Sequence, residues 1–243
     1  LLALLRAFQG VLPFALKCLV CDALAVSLAK LIAAGFTPAA RRGDYLLPLA
    51  RYIHHQRFPL RARCTALITG AASGIGAALA REAHARGYSV WLVDRRAEGL
   101  LDSAVRISVG DLGDPAFLEE LSRLIAGAPP RVLINNAGVG RRGDFTGAPL
   151  DEQLAMLRVN VAALVHLTHA CLRSMKAGGA LTVCEVSSSS AFQPLAGMAV
   201  YAASKSFVLS FSEALAAELS SQPGVEIITI VPSGTRTAFQ QQA

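Results

Sequence analysis

The strongest constraint on the fold is an alternation, from residue 64 onward, between short apolar runs and longer helical segments. Six runs, from Thr65–Thr69 to Val225–Ile230, are typical of strands, and four segments of ten residues or more between them are typical of helices. Strands and helices that alternate in this way form a parallel sheet with right-handed crossovers. Because the strands are apolar throughout, we expect both sheet faces to be covered. The sequence therefore predicts an α/β fold with a doubly wound parallel sheet.

Composition and charge separate the first 64 residues from this alternating region. The 243-residue chain is 53% hydrophobic and 16% charged, which excludes a disordered or collagen-like chain and provides for a sizeable core. Residues 1–64 carry 9 basic and 2 acidic side chains, whereas the remainder carries 14 and 15. Since the larger region has no basic excess, nucleic acid is not expected as a partner.

Residues 1–63 are interpreted as a helical N-terminal extension and linker. Leucine and alanine favour helix over residues 1–36. Charged residues interrupt this apolar run, so a membrane span is less favoured than packing on the body, on a partner or on a membrane surface. The basic, leucine-rich composition makes peripheral membrane contact through residues 1–63 a hypothesis.

Cysteine usage bears on the compartment and on metal binding. Five cysteines are too few for a disulfide scaffold and suit a reducing, cytoplasmic compartment, with membrane association as the alternative. Cys18 and Cys21 form a lone Cys-x-x-Cys pair, and a zinc site would need a second pair of ligands at a suitable spacing. We therefore expect no metal and interpret both cysteines as buried small hydrophobes.

A glycine-rich loop follows the first strand and reads Thr69-Gly70-Ala71-Ala72-Ser73-Gly74-Ile75-Gly76. Glycines at such a position allow a tight turn and a close approach of the backbone to a pyrophosphate. The helix that follows presents free N–H groups to phosphate. A tight turn without a ligand is the structural alternative, and a nucleotide-triphosphate loop is disfavoured because no Gly-Lys-Ser/Thr follows.

The second strand ends in Val93-Asp94-Arg95-Arg96, about 20 residues after the glycine loop. A carboxylate there accepts hydrogen bonds from the adenosine ribose and repels a 2′-phosphate, which favours NAD through Asp94. Arg95 and Arg96 are suited instead to a 2′-phosphate, so NADP remains the alternative. An ordinary polar turn is the structural interpretation of Asp94.

Further motifs make a specific resemblance. Asn135-Asn136-Ala137-Gly138 ends the fourth strand, Tyr201-x3-Lys205 follows the fifth, Ser188 stands 13 residues before Tyr201, and Asn160 lies in the middle of a helix. Together with Gly70-x3-Gly74-x-Gly76, this order resembles the short-chain dehydrogenase/reductase family over residues 64–239. The resemblance implies a Rossmann-like sheet in the order 3-2-1-4-5-6 and a dinucleotide-binding catalytic domain over 64–243. Since the family continues past the sixth strand, the domain is expected to be truncated there.

Tyr201 and Lys205 are four residues apart on one helix, so both project from the same face. A nearby ammonium stabilises a phenolate and lowers the pKa of the phenol, which would let Tyr201 exchange a proton with an alcohol or carbonyl. The hydroxyl of Ser188 can donate to the developing oxyanion of a carbonyl substrate. A surface Tyr/Lys pair and a polar serine loop are the structural alternatives. A serine hydrolase is disfavoured because no Gly-x-Ser-x-Gly is present.

Asn160 is a poor residue for the middle of a helix, because its amide competes for backbone hydrogen bonds. The resemblance implies that Asn160 holds a water that relays protons to Lys205. A helix kink or a core hydrogen bond is the structural alternative. For the cofactor, the resemblance implies a contact between Asp111 and adenine, a contact between Lys205 and the nicotinamide ribose, and a contact between Thr237 and the carboxamide.

The full set of predicted cofactor-binding residues follows the ends of the strands. It comprises Gly70, Ser73, Gly74, Ile75, Gly76, Asp94, Arg95, Asp111, Leu112, Asn136, Ala137, Gly138, Tyr201, Lys205, Pro232, Thr235 and Thr237. After the sixth strand, Ser233 and Thr235 stand where the family usually has glycine and valine, which leaves the nicotinamide orientation open. Asn136 has a structural alternative, which is to tie neighbouring strands through its amide.

We therefore expect an NAD(P)-dependent oxidoreductase that interconverts a secondary alcohol and a ketone. The alternative is a catalytically weak nucleotide-binding or scaffold protein of the same fold, which the change at Ser233 and the early end of the chain favour. An apolar substrate is expected, because four apolar residues between Ser188 and Tyr201 could line the pocket. Core packing is an equal explanation for each of them, namely Phe192, Leu195, Met198 and Val200. By resemblance, the protein is expected to form a homo-oligomer.

Overall fold

The computed structural model describes residues 65–232. The predicted N-terminal extension, residues 1–63, lies outside these residues. The same holds for Ser233, Thr235 and Thr237.

Six parallel strands form one sheet in the order β3-β2-β1-β4-β5-β6. Their bounds are β1 Thr65–Thr69, β2 Ser89–Asp94, β3 Arg106–Val109, β4 Val132–Asn135, β5 Leu181–Val186 and β6 Val225–Ile230. β1 pairs with β2 on one side and with β4 on the other, so that Leu67 stands between Trp91 and Leu133. The strand order changes direction at β1 and β4, and this confirms the predicted doubly wound sheet.

Within residues 65–232, five α-helices accompany the strands. Their bounds are α1 Gly74–Ala85, α2 Pro115–Gly127, α3 Leu150–Leu157, α4 Leu164–Ser174 and α5 Ala199–Glu218. The start of α2 follows the sequence rule, because the Asp114 side chain accepts a hydrogen bond from Ala116 N at 2.9 Å and Pro115 occupies the first helical position. The α2 and α4 helices pack on one sheet face, while α1 contacts β1 and β2, and α5 contacts β5 and β6.

The core lies between the sheet and the pair α2 and α4. Alternate strand residues reach it, including Leu67, Trp91, Leu133 and Val183, and they meet Leu121, Ile125, Leu167 and Cys171 of the helices. Because successive strand side chains point to opposite faces, the buried residues Ile68 and Leu92 lie on the other face of the sheet.

The long helix predicted over Leu150–Lys176 is interrupted in the structure. Between α3 and α4, residues Arg158–Ala163 form a π-helical segment. Among residues 65–232, the run Leu150–Ser174 is long and apolar enough to span a membrane by length and composition alone. Burial of Leu164, Leu167 and Cys171 in the core accounts for that apolar composition.

The expected cover on both sheet faces is incomplete at β3. Residues 95–105, which connect β2 to β3, form turns and bends rather than a crossover helix. As a result, Ile107 and Val109 are about half exposed, at 45% and 49%. On the opposite face Arg106 lies over the Trp91 ring, 4.8 Å from its centre.

Candidate active site

Loops at the carboxyl ends of β1 and β4 meet where the strand order changes direction. Thr69 Oγ1 accepts hydrogen bonds from Asn136 N and Ala137 N at 3.1 and 3.0 Å. The amide of Asn136 donates to Thr69 O at 3.0 Å and to Gly70 O at 3.2 Å. Asn136 therefore ties β1 to β4, as its structural interpretation anticipated, and it fixes the crevice in which such sheets bind ligands. The contribution of Thr69 was missed by sequence reasoning.

The glycine loop closes tightly and needs glycine at defined positions. Gly70 and Gly74 have φ of +66° and +55°, a region that favours glycine. A Cβ at Gly76 would lie 2.1 Å from Gly70 O and 2.5 Å from Asn136 Nδ2, so no other residue fits there without movement of the backbone. The loop thus brings the first turn of α1, including Ile75, close to the ends of β1 and β4.

The start of α1 is open to an anion. Ser73 precedes the helix in an extended conformation, and within the described residues its side chain makes no capping hydrogen bond. The N–H groups of the first helical turn therefore have no side-chain acceptor from this residue. The glycine loop has no side chain at Gly76, so its backbone can approach a ligand closely, and the helix after it begins without a side-chain cap. Both features fit the pyrophosphate of NAD(P).

Asp94 links the end of β2 to the glycine loop. Its carboxylate accepts hydrogen bonds from Ala72 N at 2.9 Å and from Arg96 N at 3.2 Å. The side chains of Arg95 and Arg96 are exposed. Asp94 thus positions the loop in addition to the ribose role predicted for it.

Asp111 and Leu112 lie after β3 in different surroundings. Asp111 accepts a hydrogen bond from Gly113 N at 2.7 Å and shapes a turn. Leu112 is 6% exposed and packs in the core, so a cofactor contact from this residue would come from its backbone.

After β6, Pro232 O accepts a hydrogen bond from Ser189 N at 3.0 Å, which joins this predicted cofactor-binding residue to the run of four serines, residues 187–190.

Ser188 and Tyr201 are brought together by the structure. Tyr201 lies in the first turn of α5, is 9% exposed, and its phenol is hydrogen-bonded by the hydroxyls of Ser188 and Ser190. Burial raises the pKa of Tyr201, and the two hydrogen bonds oppose this shift. The expectation that Lys205 lowers the pKa of Tyr201 is not met in this arrangement, where desolvation dominates and the ammonium bonds elsewhere.

Lys205 is 5% exposed, and its Nζ donates to Val186 O at 2.8 Å. Burial lowers the pKa of Lys205 to about 8, and the charge of Glu185 opposes this shift. A Cβ at Gly138 would lie 3.3 Å from Lys205 Nζ and 3.4 Å from Asn160 Oδ1. The side of Gly138 on which a side chain would stand therefore faces both the lysine and the asparagine, and a side chain there would crowd both.

Asn160 lies in the π-helical segment and is buried. Its Oδ1 accepts from Val139 N at 2.8 Å, and its Nδ2 donates to Val139 O at 2.9 Å and to Ser204 Oγ at 3.0 Å. The side chain thus pairs with the backbone of the loop after β4 and with α5. This is the core hydrogen bonding given as the structural alternative, and the water relay stays a prediction.

Three further residues near the site were missed by sequence reasoning. Ser187 is buried and donates to Lys205 O at 2.8 Å, and Ser190 bonds both Ser188 and Tyr201. Glu185 is fully buried in β5, where its Oε1 accepts from Thr168 Oγ1 at 2.8 Å and from Asn135 Nδ2 at 3.3 Å. An acidic residue inside the apolar run Leu181–Val186 was the available signal for Glu185.

Among residues 65–232, no group of three or more His, Cys, Asp or Glu side chains could hold a metal ion.

Comparison with protein-family models and curated proteins gives consistent results. The family model for short chain dehydrogenases matches residues 64–243. The chain is 36% identical over 187 residues to 1-deoxy-11-beta-hydroxypentalenate dehydrogenase of Streptomyces avermitilis, covering 71% of this chain and 69% of that protein. It is 30% identical over 187 residues to 17-beta-hydroxysteroid dehydrogenase type 3 of Homo sapiens, covering 72% of this chain and 60% of that protein.

Solved structures are also similar. A short-chain dehydrogenase from Sphingobium yanoikuyae in complex with NADPH aligns with a TM-score of 0.67 at 32% identity, covering 74% of both chains. The bulky-bulky ketone specific alcohol dehydrogenase from Comamonas testosteroni aligns with a TM-score of 0.64 at 30% identity, covering 71% of this chain and 73% of that one. A 3-ketoacyl-(acyl-carrier-protein) reductase from Brucella melitensis complexed with NADH aligns with a TM-score of 0.65 at 26% identity, covering 74% of this chain and 78% of that one.

Proposed function

The chain belongs to the short-chain dehydrogenase/reductase family of NAD(P)-binding Rossmann-fold oxidoreductases, and we propose that it interconverts a secondary alcohol and a ketone. The observation that carries this proposal is the contact of the Tyr201 phenol with the Ser188 hydroxyl. Both groups follow β5 in the chain, and they lie at the carboxyl ends of the strands, where the glycine loop after β1 also lies. A proton donor and an oxyanion donor at one place suit carbonyl reduction.

In this proposal NAD(P), when bound, supplies or accepts the hydride. Tyr201 gives its proton to the substrate oxygen during reduction and takes it back during oxidation. The Tyr201 phenol is protonated at neutral pH, which is the form that can act as the acid in ketone reduction. Burial raises the pKa of Tyr201 and so weakens it as an acid, whereas the hydrogen bonds from Ser188 and Ser190 oppose that rise. Ser188 donates a hydrogen bond to the same oxygen as negative charge develops on it.

Lys205 and Asn160 have supporting roles in the proposal. Resemblance assigns Lys205 a hydrogen bond to the nicotinamide ribose and Asn160 a water that returns protons toward Lys205. Their approach to Gly138 from two elements, the π-helical segment and α5, supports this. Lys205 would change its partner from Val186 O to the ribose when the cofactor binds.

For the cofactor, we propose NAD in preference to NADP. The carboxylate of Asp94 at the end of β2 supports this, because its charge repels a 2′-phosphate. The exposed guanidinium groups of Arg95 and Arg96 are the feature that would favour NADP. Similar structures contain NADPH in one case and NADH in another, so cofactor choice calls for direct measurement.

The proposed substrate is an apolar secondary alcohol or ketone. Phe192 ends the turn that carries Ser190 and is 60% exposed, and Phe145 in the loop after β4 is 61% exposed. The two segments are joined by a hydrogen bond from Gly143 N to Gly197 O at 2.9 Å. Exposed aromatic rings on neighbouring loops favour an apolar ligand. Relatives named for a hydroxysteroid and for bulky ketones indicate which compounds to test first.

We also propose self-association and a cytoplasmic location. Leu150, Leu154 and Leu157 form an exposed stripe on α3, and Phe207 is exposed on α5, which contacts α3. Exposed apolar patches of this kind favour an interface, and sedimentation of the full chain would measure its oligomeric state.

Peripheral membrane contact through residues 1–63 remains a proposal that pelleting with anionic vesicles would test.

Replacing the phenol tests the proposed chemistry. We expect Tyr201→Phe to lower kcat for ketone reduction at least about 100-fold, because a positioned acid contributes that much. Turnover is followed by cofactor absorbance in the full chain, and NADH binding is measured separately by fluorescence, so that a loss of turnover is distinguished from a loss of cofactor binding. Tyr88→Phe, at the opposite end of the sheet before β2, is the matched control. Unchanged turnover in Tyr201→Phe would refute the assignment.

A further inference from the structure

The four consecutive serines 187–190 have different surroundings. Ser187 is buried and bonds the backbone of α5, Ser188 is half-buried, and Ser189 is exposed. Ser190 is only 6% exposed, although its neighbour Ser189 faces solvent. A buried hydroxyl beside the proposed reacting groups calls for a role, because burying it without a hydrogen bond would cost free energy.

Ser190 makes two contacts with Ser188. The Ser190 hydroxyl lies 2.7 Å from Ser188 Oγ, and Ser190 N donates to the same oxygen at 3.2 Å. A serine hydroxyl has two acceptor lone pairs and one proton. When Ser190 donates through both groups, the acceptor sites of Ser188 are filled and its own proton is left to donate. A hydroxyl that steadies a developing oxyanion must donate in this way.

The hydroxyl of Ser190 also reaches Tyr201. It hydrogen-bonds the phenol together with Ser188, so three hydroxyl oxygens from two elements form one cluster. A hydroxyl can rotate, so it can accept from a neutral phenol or donate to a phenolate. While Tyr201 is neutral, Ser190 can accept from the phenol and donate its one proton to Ser188. Once Tyr201 is a phenolate, that proton turns to the phenolate, and Ser190 N remains as the donor to Ser188 Oγ.

The turn itself does not depend on this hydroxyl. The bond from Ser190 N to Ser188 Oγ is made by the backbone and survives removal of the side-chain oxygen. Ser206 Oγ donates to Ala191 O at 2.8 Å and anchors the same turn to α5. Removing the Ser190 hydroxyl therefore separates its effect on chemistry from the fold of the segment.

We propose that Ser190 is a positioning residue, which orients the Ser188 hydroxyl toward the substrate oxygen and holds the Tyr201 phenol beside it. The inference rests on the proposed oxidoreductase function. It concerns a residue other than the proposed catalytic set Ser188, Tyr201, Lys205 and Asn160.

The first test compares turnover in three variants of the full chain. Ser190→Ala should lower kcat for ketone reduction about tenfold, the effect of losing one hydrogen bond of ordinary strength, with the KM for NADH unchanged. Ser190→Thr, which keeps the hydroxyl, should restore most of the lost rate. Ser189→Ala is the matched control and should behave as wild type, because within residues 65–232 the side chain of Ser189 makes no hydrogen bond. A kcat for Ser190→Ala within twofold of wild type would overturn the proposal.

The second test needs no substrate. Tyrosinate absorbance is titrated against pH, and the difference between wild type and Tyr201→Phe isolates the Tyr201 signal. Ser190→Ala should move the Tyr201 midpoint to higher pH, because one hydrogen bond to the phenolate is lost. An unmoved midpoint would overturn the positioning role even if no turnover is found. Unchanged turnover in Tyr201→Phe would instead refute the proposed function, so the two failures are distinguishable.

Discussion

At the scale of single residues, the site depends on polar groups that serve both the fold and the proposed chemistry. Asp94 shows this most clearly, since its carboxylate holds Ala72 of the glycine loop at 2.9 Å and also stands where a ribose would bind. Asn136 likewise binds the loop backbone while lying at the proposed cofactor crevice. A substitution at such a residue must preserve the structural bond if it is to report on ligand choice.

Asp94→Asn is predicted to shift cofactor preference. The amide oxygen can still accept from Ala72 N, whereas the negative charge that repels a 2′-phosphate is gone. We expect the ratio of kcat/KM for NADH to that for NADPH to fall about tenfold, or about 1.4 kcal/mol. Glu119→Gln on the exposed face of α2 removes one charge elsewhere and is the control. A ratio equal to that of the control would argue against a cofactor-selecting role for Asp94.

At the scale of elements, the π-helical segment Arg158–Ala163 connects three parts of the site. A π-helical turn has one residue more than an α-helical turn, and such turns are frequent at functional sites. Here Asn160 reaches from this segment to the loop after β4 and to Ser204 on α5. The segment therefore links Asn160 to the loop after β4, which carries predicted cofactor-binding residues, and to α5, which carries Tyr201 and Lys205.

Asn160→Ala is predicted to destabilise the fold and to lower activity. The change leaves Val139 N and Val139 O without their buried side-chain partner, which costs about 1–3 kcal/mol for each unsatisfied group. We expect the free energy of unfolding in urea to fall by about 2–4 kcal/mol. Arg158→Ala, an exposed residue of the same segment, should change it by less than about 0.5 kcal/mol. Equal effects of the two substitutions would contradict this account.

At the scale of the whole molecule, one buried carboxyl joins the centre of the sheet to α4. Glu185 on β5 bonds Asn135 on β4 and Thr168 on α4, while within residues 65–232 its Oε2 has no hydrogen-bond partner. Burial raises the pKa of Glu185 to about 7, and the two hydrogen bonds and the Lys205 charge oppose the shift. The folded state therefore favours the protonated acid up to neutral pH.

Stability is predicted to depend on the protonation of Glu185. In the unfolded chain the carboxyl ionises near pH 4.5, so the folded state gains stability below that pH and loses it as pH rises through 7. Relative to Glu185→Gln, we expect the wild type to lose about 2–3 kcal/mol of unfolding free energy between pH 5 and pH 8. Urea titrations at several pH values measure this, with Glu119→Gln as the control. Parallel pH profiles for wild type and Glu185→Gln would show that Glu185 is not the titrating group.

The fold was predictable because its determinants are local and repeated. Apolar runs such as Leu67–Ile68, cap residues such as Asp114 and stops such as Gly87 lie within a few residues of the elements that they define. The main errors arose where the chain departs from this regularity. The helix predicted over Leu150–Lys176 is interrupted at Arg158–Ala163, and the cover expected on both sheet faces is incomplete at β3.

The amino-acid sequence by itself determined the alternation of strands and helices and the position of the glycine loop, because these patterns are local. The strand order and the candidates Ser188, Tyr201, Lys205 and Asn160 followed from the family resemblance that the order and spacing of the motifs carry. Only the tertiary structure decided that Ser190 rather than Ser189 adjoins the phenol, that Asn160 pairs with Val139, and that Lys205 bonds Val186 O. It also decided the raised pKa of Tyr201 and of Glu185. The reason is physical: desolvation and hydrogen-bond partners depend on which distant segments pack around a side chain, and no local pattern records this.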